Sequence, residues 1–90
     1  MSSVKDNPAK SRFELEENGH VAFADYRRRD GVLTIPHVEA PQELQGTGAA
    51  GRLMEGILTI ARAQGLKVRP SCPYAASYFA RHKAWQDLLP

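Results

Sequence analysis

The chain has 90 residues, of which 42% are hydrophobic and 24% are charged. This is the composition of one small water-soluble domain, and it leaves no room for two domains or for a two-halved dinucleotide-binding sheet. The polar start is not a secretory signal, and no stretch is apolar for long enough to span a bilayer. The single cysteine, Cys72, cannot form an internal disulfide, which fits a reducing compartment, so we expect a cytoplasmic protein.

The net charge of +2 is unevenly distributed. Residues 1–45 carry six Lys or Arg and eight Asp or Glu, a net charge of −2, whereas residues 46–90 carry six Lys or Arg and two Asp or Glu, a net charge of +4. The second half should therefore attract an anion. The run at residues 27–29 consists of three arginines flanked by Asp25 and Asp30, without interleaved aromatic residues. We interpret it as a solvated strand end and do not expect nucleic acid as a partner.

The first 40 residues predict an antiparallel meander of three strands. Residues 1–10 are polar, and we interpret them as a disordered N-terminus. Alternating apolar and polar side chains predict half-buried strands, and Asn-Gly and Asp-Gly are strong signals for tight hairpin turns. Pro36 cannot donate to a ladder and marks an edge, a bulge or a place where neighbouring strands separate. The predicted strands span residues 13–16, 20–28 and 31–39, with Asn18-Gly19 and Asp30-Gly31 at the turns.

The second half predicts a helix, a strand and a further helix. Apolar residues at three- and four-residue spacing predict a helix over residues 48–64. The strand at residues 66–69 follows a helical crossover and should run parallel to the third strand. Pro73 suits the first position of the second helix, with Cys72 or Ser71 as its N-cap. Three residues are expected to dock a terminal turn onto the core: Trp85, Leu88 and Leu89.

The most informative stretch is the glycine-rich segment that leads into the first helix. Its small residues leave backbone N–H groups uncovered, and a helix N-terminus carries a partial positive charge, so the segment is suited to hold a phosphate. The alternative is a turn that merely enters a packed helix. The segment consists of Gln45, Gly46, Thr47, Gly48, Ala49, Ala50 and Gly51.

Two nucleotide-binding motifs fit this segment only in part. Gly46, Gly48 and Gly51 match the spacing of the dinucleotide fingerprint, but that motif needs a strand immediately before it and an acid at the end of the next strand. Neither is present. Arg52 and Leu53 replace the Lys and the Ser or Thr that a P-loop requires. The context therefore argues against both nucleotide-binding sites.

Four motifs in the chain are typical of one family. The glycine-rich segment matches a Gln/Arg-x-x-Gly-x-Gly/Ala pyrophosphate loop, and a His-x-Glu strand end precedes it. A Gly-Leu-Lys-Val-x-Pro-x-Cys-Pro segment follows at residues 65–73, and the tail contains Arg-His and Gln-Asp-Leu. With these motifs the sequence resembles the minimal GNAT-like N-acetyltransferase family, over residues 12–89. The matching residues are His37-Val38-Glu39, Gln45, Gly48, Ala50, Cys72-Pro73, Arg81-His82 and Gln86-Asp87-Leu88.

The resemblance implies an abbreviated GNAT fold of the α/β (α+β) class over residues 11–90. It also implies acetyl-CoA as the acyl-donor cosubstrate, lying between two splayed parallel strands. Val38 would pair with the pantetheine amides like an added strand, and Lys67 is a further cation near the phosphates. The residues that the resemblance places at the cosubstrate are Val38, Gln45, Gly46, Thr47, Gly48, Ala49, Ala50, Gly51, Arg52 and Arg69.

Four residues are candidates for the chemistry. The helix dipole can stabilise the thiolate of Cys72, which could carry an acetyl-cysteine intermediate or could simply be a small buried residue. His37 or Glu39 could deprotonate an acceptor amine, although a structural or exposed histidine is an equal alternative. Tyr78 could protonate the leaving thiolate, or it could be one more core aromatic. The histidines and the cysteine lack metal-ligand spacing, so we expect no metal site.

Two classes of function remain open. One is an enzyme that transfers the acetyl group of acetyl-CoA to an amine, directly or through Cys72. The other is a non-catalytic acyl-CoA-binding module. The helix pair that shapes the acceptor site in longer superfamily members has no room here, because Asn18-Gly19 joins the first two strands directly. The acceptor is therefore unidentified; we expect a monomer or weak dimer and no membrane partner.

Overall fold

The computed structural model describes residues 4–90, which form a five-stranded mixed sheet and two helices. The strands lie in the sheet in chain order. Short 3-10 turns precede β2 and α1, and a longer 3-10 helix, Lys83–Leu88, follows α2. The elements are β1 (Lys5–Asn7), β2 (Arg12–Glu17), β3 (His20–Arg29), β4 (Val32–Glu39), α1 (Ala49–Ala63), β5 (Lys67–Pro70) and α2 (Pro73–Arg81).

Two tight turns join β2, β3 and β4 into an antiparallel meander. Asn18 and Gly19 have φ values of 53° and 78°, and Asp30 and Gly31 have 54° and 76°. Positive φ at both central positions gives a turn whose twist matches the strands that it joins. The predicted hairpins are therefore confirmed, and the residue types explain them.

The expectation that residues 1–10 are disordered is contradicted for residues 5–10. Lys5–Asn7 pair with β2 in antiparallel register. The Tyr26 hydroxyl also donates a 2.6 Å hydrogen bond to the Asp6 carboxylate, 20 residues away in sequence. A three-residue polar strand has no periodic pattern, so its order depends on these distant partners. Residues 1–3 lie outside the described residues.

β4 changes its partners at Pro36. Residues 32–34 pair with β3 on one side and, in parallel, with β5 on the other, and Ile35 pairs with β5 alone. On the β3 side, Ile35 and Pro36 together face the single residue Tyr26, which is a β-bulge. The parallel ladder ends there, because Pro36 has no N–H and the backbone N–H groups of Ser71 and Cys72 both bond the Ile35 carbonyl at 3.1 Å. The strands part at Pro36, as the sequence predicted.

One face of α1 supplies the centre of the core. Its apolar side chains pack on the inner face of the sheet and against α2 and the terminal 3-10 helix. Burying a large apolar side chain stabilises a fold by about 1.5–3 kcal/mol relative to leaving it exposed. The residues of this face with no exposed surface are Leu53, Met54, Ile57, Leu58 and Ala61.

α2 begins at Pro73, whose missing N–H has no cost at the first helical position. Cys72 is the N-cap, and its Sγ accepts a hydrogen bond from the Ala75 N–H at 3.3 Å. The structure therefore uses Cys72 rather than Ser71 as the cap, one of the two possibilities that the sequence allowed.

The terminal 3-10 helix docks mainly through Leu88 and Trp85. Leu88 is buried, and Trp85 lies under the Arg62 guanidinium, 4.4 Å from the ring centre. Leu89 is 36% exposed, so the expectation that it docks is wrong. It follows the last residue of the 3-10 helix in an extended conformation, which turns it away from the core.

The sheet has an inner face, which carries the core, and an outer face. Along the strands, buried side chains alternate with exposed or half-buried ones. None of the helices within residues 4–90 is long and apolar enough to cross a bilayer. Side chains on the outer face include Arg12, Glu14, Phe23, Asp25, Arg27, Thr34, His37, Glu39 and Arg69.

Candidate active site

The glycine-rich segment turns the chain from β4 into α1. Gly46 and Gly48 have φ values of 79° and 85°, and Gly48 is the N-cap of α1. The Thr47 hydroxyl stabilises the turn, since it donates to the Leu44 carbonyl at 2.6 Å and accepts from the Ala49 N–H at 3.3 Å. Residues with a Cβ lose about 1–2 kcal/mol in this left-handed conformation. The positions of both glycines therefore follow from the shape of the turn.

The backbone N–H groups of the segment are of two kinds. Those of Gln45 and Thr47 bond the carbonyls of Gln42 and Leu44, and that of Ala49 bonds the Thr47 hydroxyl. The others have no acceptor among the described residues, and they lie at the positive end of the α1 dipole. These unpaired N–H groups belong to Gly46, Gly48, Ala50 and Gly51.

Arg52 lies beside the segment, but most of its guanidinium is already paired. Nε and Nη2 each donate to the Glu17 carboxylate at 2.7 Å. The hydrogen bonds from Arg52 hold the pKa of Glu17 below its ordinary value of 4.5. Nη1 faces Gly48, where an added Cβ would lie 3.0 Å away. Arg52 is therefore near the predicted position, with Nη1 as its remaining donor group.

A groove of about 320 Å³ runs from the segment between α1 and α2. A Cβ added to Gly51 would make ordinary van der Waals contact with the Tyr74 hydroxyl, at 3.8 Å. The groove is continuous with the unpaired N–H groups, because Gly48 and Gly51 belong to both. Its lining residues are Gly48, Gly51, Arg52, Glu55, Tyr74, Tyr78, Arg81 and His82.

Tyr78 belongs both to the core and to the groove. Burial raises the pKa of Tyr78 above 10.0, and the nearby Glu55 and Tyr74 raise it further. The His82 ring stacks on the Tyr78 ring with centroids 3.9 Å apart. His82 Nδ1 also donates to the Tyr78 carbonyl at 2.8 Å, which caps the end of α2. The phenol of Tyr78 is therefore protonated at neutral pH and can act as a proton donor.

Cys72 lies where β4 and β5 part. Its side chain is 7% exposed, and its Sγ is held by the Ala75 N–H at the start of α2. A sulfur in this position caps the helix and packs in the core. The same position lies at the N-terminus of α2, beside the point where β4 and β5 part. Both roles that the sequence left open for Cys72 are thus compatible with the geometry.

The backbone of Val38 faces the gap between the parted strands. The Tyr26 N–H bonds the Ser11 carbonyl on the β2 side of β3. Because successive backbone groups of a strand point to alternate sides, Asp25 and its partner His37 bond each other. The N–H and C=O of Val38 therefore point away from β3, to the side where β5 no longer pairs.

His37 and Glu39 lie together on the outer face of the part of β4 that pairs only with β3. Their side chains are about half exposed, and His37 Nε2 is 3.1 Å from Glu39 Oε1. The His37 ring also lies 6.0 Å from the Phe23 ring, measured between centroids. The carboxylate orients the imidazole, so that Nδ1 is the nitrogen left to accept a proton when Nε2–H donates to Glu39.

Residues 12–88 match the sequence model of the GCN5-related N-acetyltransferase family. The chain belongs to this family. The fold is also similar to the solution structure of a GCN5-like protein from Staphylococcus aureus that is assigned as an N-acetyltransferase. The two have a TM-score of 0.74 and 27% sequence identity, and the alignment covers 100% of this chain and 91% of that one. No curated protein sequence matches.

The comparison confirms the predicted GNAT-like fold: antiparallel strands, a helix, a parallel strand and a second helix. The structure adds β1 at the edge, which precedes the residues that match the family. The residues that match the family model thus include the glycine-rich segment, the groove between α1 and α2, and the gap between β4 and β5.

Arg69 does not join the other residues predicted at the cosubstrate. Its register partner in β4 is Thr34, and alternation places both on the outer face, where Arg69 lines a depression with Arg27. Lys67 is turned to the terminal 3-10 helix, where its Nζ donates to the Asp87 carbonyl at 2.7 Å. The sequence could not direct these side chains, because the register with β4 decides the face of Arg69 and a partner 20 residues away decides the direction of Lys67.

Two groove residues, Tyr74 and Arg81, were not predicted from the sequence as part of a site. They lie four residues before and three residues after Tyr78, and that helical spacing could have placed them on the same side of α2. Within residues 4–90, no three His, Cys, Asp or Glu side chains are grouped as metal ligands.

Proposed function

We propose that this GCN5-related protein transfers the acetyl group of acetyl-CoA to the amine of an acceptor, in the cytoplasm. The observation that carries the proposal is the row of unpaired N–H groups at residues 46, 48, 50 and 51, next to a groove and a strand gap. Backbone donors at a helix N-terminus bind phosphate oxygens well. The family match supports the same cosubstrate, since acetyl-CoA is its usual donor.

The pyrophosphate would lie on the unpaired N–H groups of the segment, with Arg52 Nη1 and Arg81 as cations nearby. The pantetheine would then extend to the gap, where the Val38 N–H and C=O can pair with its amides like a short strand. This path leads from the start of α1 towards Cys72 and the end of the parallel ladder.

The acceptor would approach the gap from the outer face, where His37 and Glu39 lie. An amine must lose its proton to become a nucleophile, and the Glu39-oriented imidazole of His37 can take that proton on Nδ1. The amine nitrogen then bonds to the thioester carbonyl carbon, and the bond from that carbon to sulfur breaks. Tyr78, held protonated by its raised pKa, supplies a proton to the leaving thiolate. The acylated nitrogen loses its second proton to water, and the Tyr78 phenolate takes one back from water, so the products are an amide, CoA and the proton held by His37.

Cys72 offers a second route, in which its thiolate takes the acetyl group and passes it to the amine. Two substitutions separate this route from a capping role. Serine is a good N-cap, so Cys72→Ser preserves the start of α2 but lacks the thiol. If Cys72 is the nucleophile, both Cys72→Ser and Cys72→Ala lose transfer and keep acetyl-CoA binding. If Cys72 only caps the helix, Cys72→Ser keeps both.

A non-catalytic acyl-CoA-binding module is the second candidate. The observation in its favour is that the Cys72 sulfur is engaged as a helix cap while His37 and Glu39 are exposed. Such a module would bind acetyl-CoA and CoA without releasing CoA in the presence of any amine. For such a module, His37→Gln would leave the affinity for acetyl-CoA and for CoA unchanged, and neither wild type nor the variant would release CoA thiol.

The first test is thermal unfolding in the presence of acetyl-CoA, CoA, NADP or ATP. A ligand at about 100 times its Kd adds about 2.7 kcal/mol of stability, which raises Tm by roughly ten degrees in a domain of this size. A shift with acetyl-CoA and CoA but not with NADP or ATP is expected. Release of CoA thiol with a panel of amines then separates the enzyme from the module. The absence of any shift with acetyl-CoA and CoA would refute both.

A further inference from the structure

The outer face of the sheet carries opposite charges at its two ends. Arg27 and Arg69 lie on either side of Thr34, in one row across β3, β4 and β5. Arg29 lies two residues farther along β3 on the same face. Together with Asp30, Val32 and Thr34 these arginines line a shallow depression of about 320 Å³. We call Arg27, Arg29 and Arg69 the arginine patch.

The arginine patch is poorly neutralised by the protein itself. Neither Arg27 nor Arg69 has a hydrogen bond or ion pair with another described residue, and Arg29 meets Asp30 at 3.7 Å with both side chains more than nine-tenths exposed. Arg28, between two members of the patch, points to the other face and donates to Gln64 at 3.5 Å. Of the three consecutive arginines, two therefore belong to the patch on the outer face, and Arg28 lies on the inner face of the sheet, where the helices pack.

The spacing of the patch suits carboxylates on an extended chain. Neighbouring strands are about 4.8 Å apart, so Arg27 and Arg69 are separated by roughly 10 Å at the backbone. Arg27 and Arg29 are about 6.7 Å apart along β3, the distance between alternate residues of an extended peptide. Guanidinium groups pair with carboxylates in a two-pronged geometry.

The other end of the outer face is acidic and adjoins the strand gap. Asp25 and Glu39 lie there on either side of His37, which is the proposed base. From Thr34 to His37 the face spans three residues of β4, or roughly 10 Å. An acceptor whose ammonium lies at this end and whose carboxylates lie on the arginine patch must be long and carry both charges. A polypeptide segment meets that requirement.

We propose that the arginine patch binds an acidic segment of a polypeptide acceptor and presents a lysine or terminal amine, about three residues away, to His37. The inference rests on the proposed acetyl transfer. Single-stranded nucleic acid suits the face less well, because the depression contains no aromatic side chain on which a base could stack. Asp25, Asp30 and Glu39 would also repel a phosphate chain that extends beyond the patch.

The test measures the affinity of two short labelled peptides by fluorescence anisotropy. Both contain one lysine; one has glutamates three to five positions away, and the other has glutamines in their place. We expect the acidic peptide to bind wild type about tenfold more tightly, with a preference that weakens as salt is raised. The preference should vanish in Arg27→Ala/Arg69→Ala and persist in Arg28→Ala, the matched control from the same run.

Three results would overturn the inference. These are equal affinity of wild type for both peptides, an equal loss in Arg28→Ala, and tighter binding of a single-stranded oligonucleotide of the same charge. Thermal shift by acetyl-CoA is measured in parallel on every variant, and we expect it to be unchanged. This thermal shift verifies that each variant folds. If acetyl-CoA caused no shift in wild type, that result would refute the proposed acetyl transfer and not the proposed peptide binding by the arginine patch.

Discussion

Residues 32–34 of β4 are paired on both sides and Ile35 is paired with β5, whereas residues 37–39 are paired only with β3. In the first half, Leu33 and Ile35 are buried in the centre of the core. In the second, His37 and Glu39 are exposed, and the backbone of Val38 faces a gap. One proline and one bulge separate the two halves. A strand can thus serve the core and a binding site at once, provided that its partner leaves it at a defined residue.

The largest effect is expected on the free energy of unfolding, when Ile35→Ala is compared with Val38→Ala. Ile35 has no exposed surface, so its truncation leaves a cavity and should cost about 2–5 kcal/mol of the free energy of unfolding. Val38 is half-buried beside the gap, and its truncation should cost less than about 1.5 kcal/mol. Urea unfolding followed by circular dichroism measures both. Equal losses would contradict the difference between the two halves.

Ile35→Val covers the case in which Ile35→Ala does not fold. It removes one methylene and should cost about 0.5–1.5 kcal/mol.

A second pair of variants tests the glycine-rich segment beyond the gap. Gly48 and Gly65 both have positive φ, so alanine at either position should cost about 1–2 kcal/mol. A Cβ at Gly65 meets nothing within 4 Å, whereas one at Gly48 lies 3.0 Å from Arg52 Nη1 and beside the unpaired N–H groups. We expect both to lower Tm, and only Gly48→Ala to weaken acetyl-CoA binding. Equal binding by the two variants would mean that the segment is only a turn.

A third prediction concerns Tyr26, the residue of β3 that faces the bulge. Burial, together with the hydrogen bond to Asp6, raises the pKa of Tyr26 to about 12. A raised pKa means that the protonated phenol is stabilised by folding, so this contribution is complete below pH 10 and is lost between about pH 10 and 12. Tyr26→Phe should lower stability by about 1 kcal/mol at neutral pH.

The measurement is the difference in unfolding free energy between wild type and Tyr26→Phe at several pH values. The difference should shrink as the pH rises from about 10 to 12, the interval between the two pKa values. A difference that stays constant over this interval would show that folding does not raise the pKa of Tyr26, and that the bond to Asp6 does not stabilise the protonated phenol.

The smallest effect is expected for Glu17→Gln at the far end of β2. Arg52 lowers the pKa of Glu17, so the ionised pair contributes stability above pH 4.5 that is lost as pH falls through the folded pKa. Both partners are on the surface, and the loss at neutral pH should be slight. Removing the carboxylate frees Arg52, and acetyl-CoA affinity should rise about two- to threefold at low salt. An unchanged affinity would show that Arg52 does not act on the phosphates.

The fold was more accessible from the sequence than the site. The hairpins, both helices and the strand break at Pro36 each depend on a local feature: positive φ, helical periodicity, or a missing N–H. The site depends on partners that are distant in the chain. Arg52 is taken up by Glu17, 35 residues away, and Arg69 is carried to the outer face by its register with Thr34. No local pattern contains these pairings.

The sequence by itself determined the order of elements, the turn residues and the resemblance to an acetyltransferase family, because each follows from short segments of chain. Only the tertiary structure decided the direction of the Arg52 guanidinium, since that depends on Glu17, 35 residues away in the chain. It also gave β1 its partner and split the arginine run between the two faces of the sheet. These outcomes depend on contacts between separate elements, and such contacts exist only when the whole chain is folded.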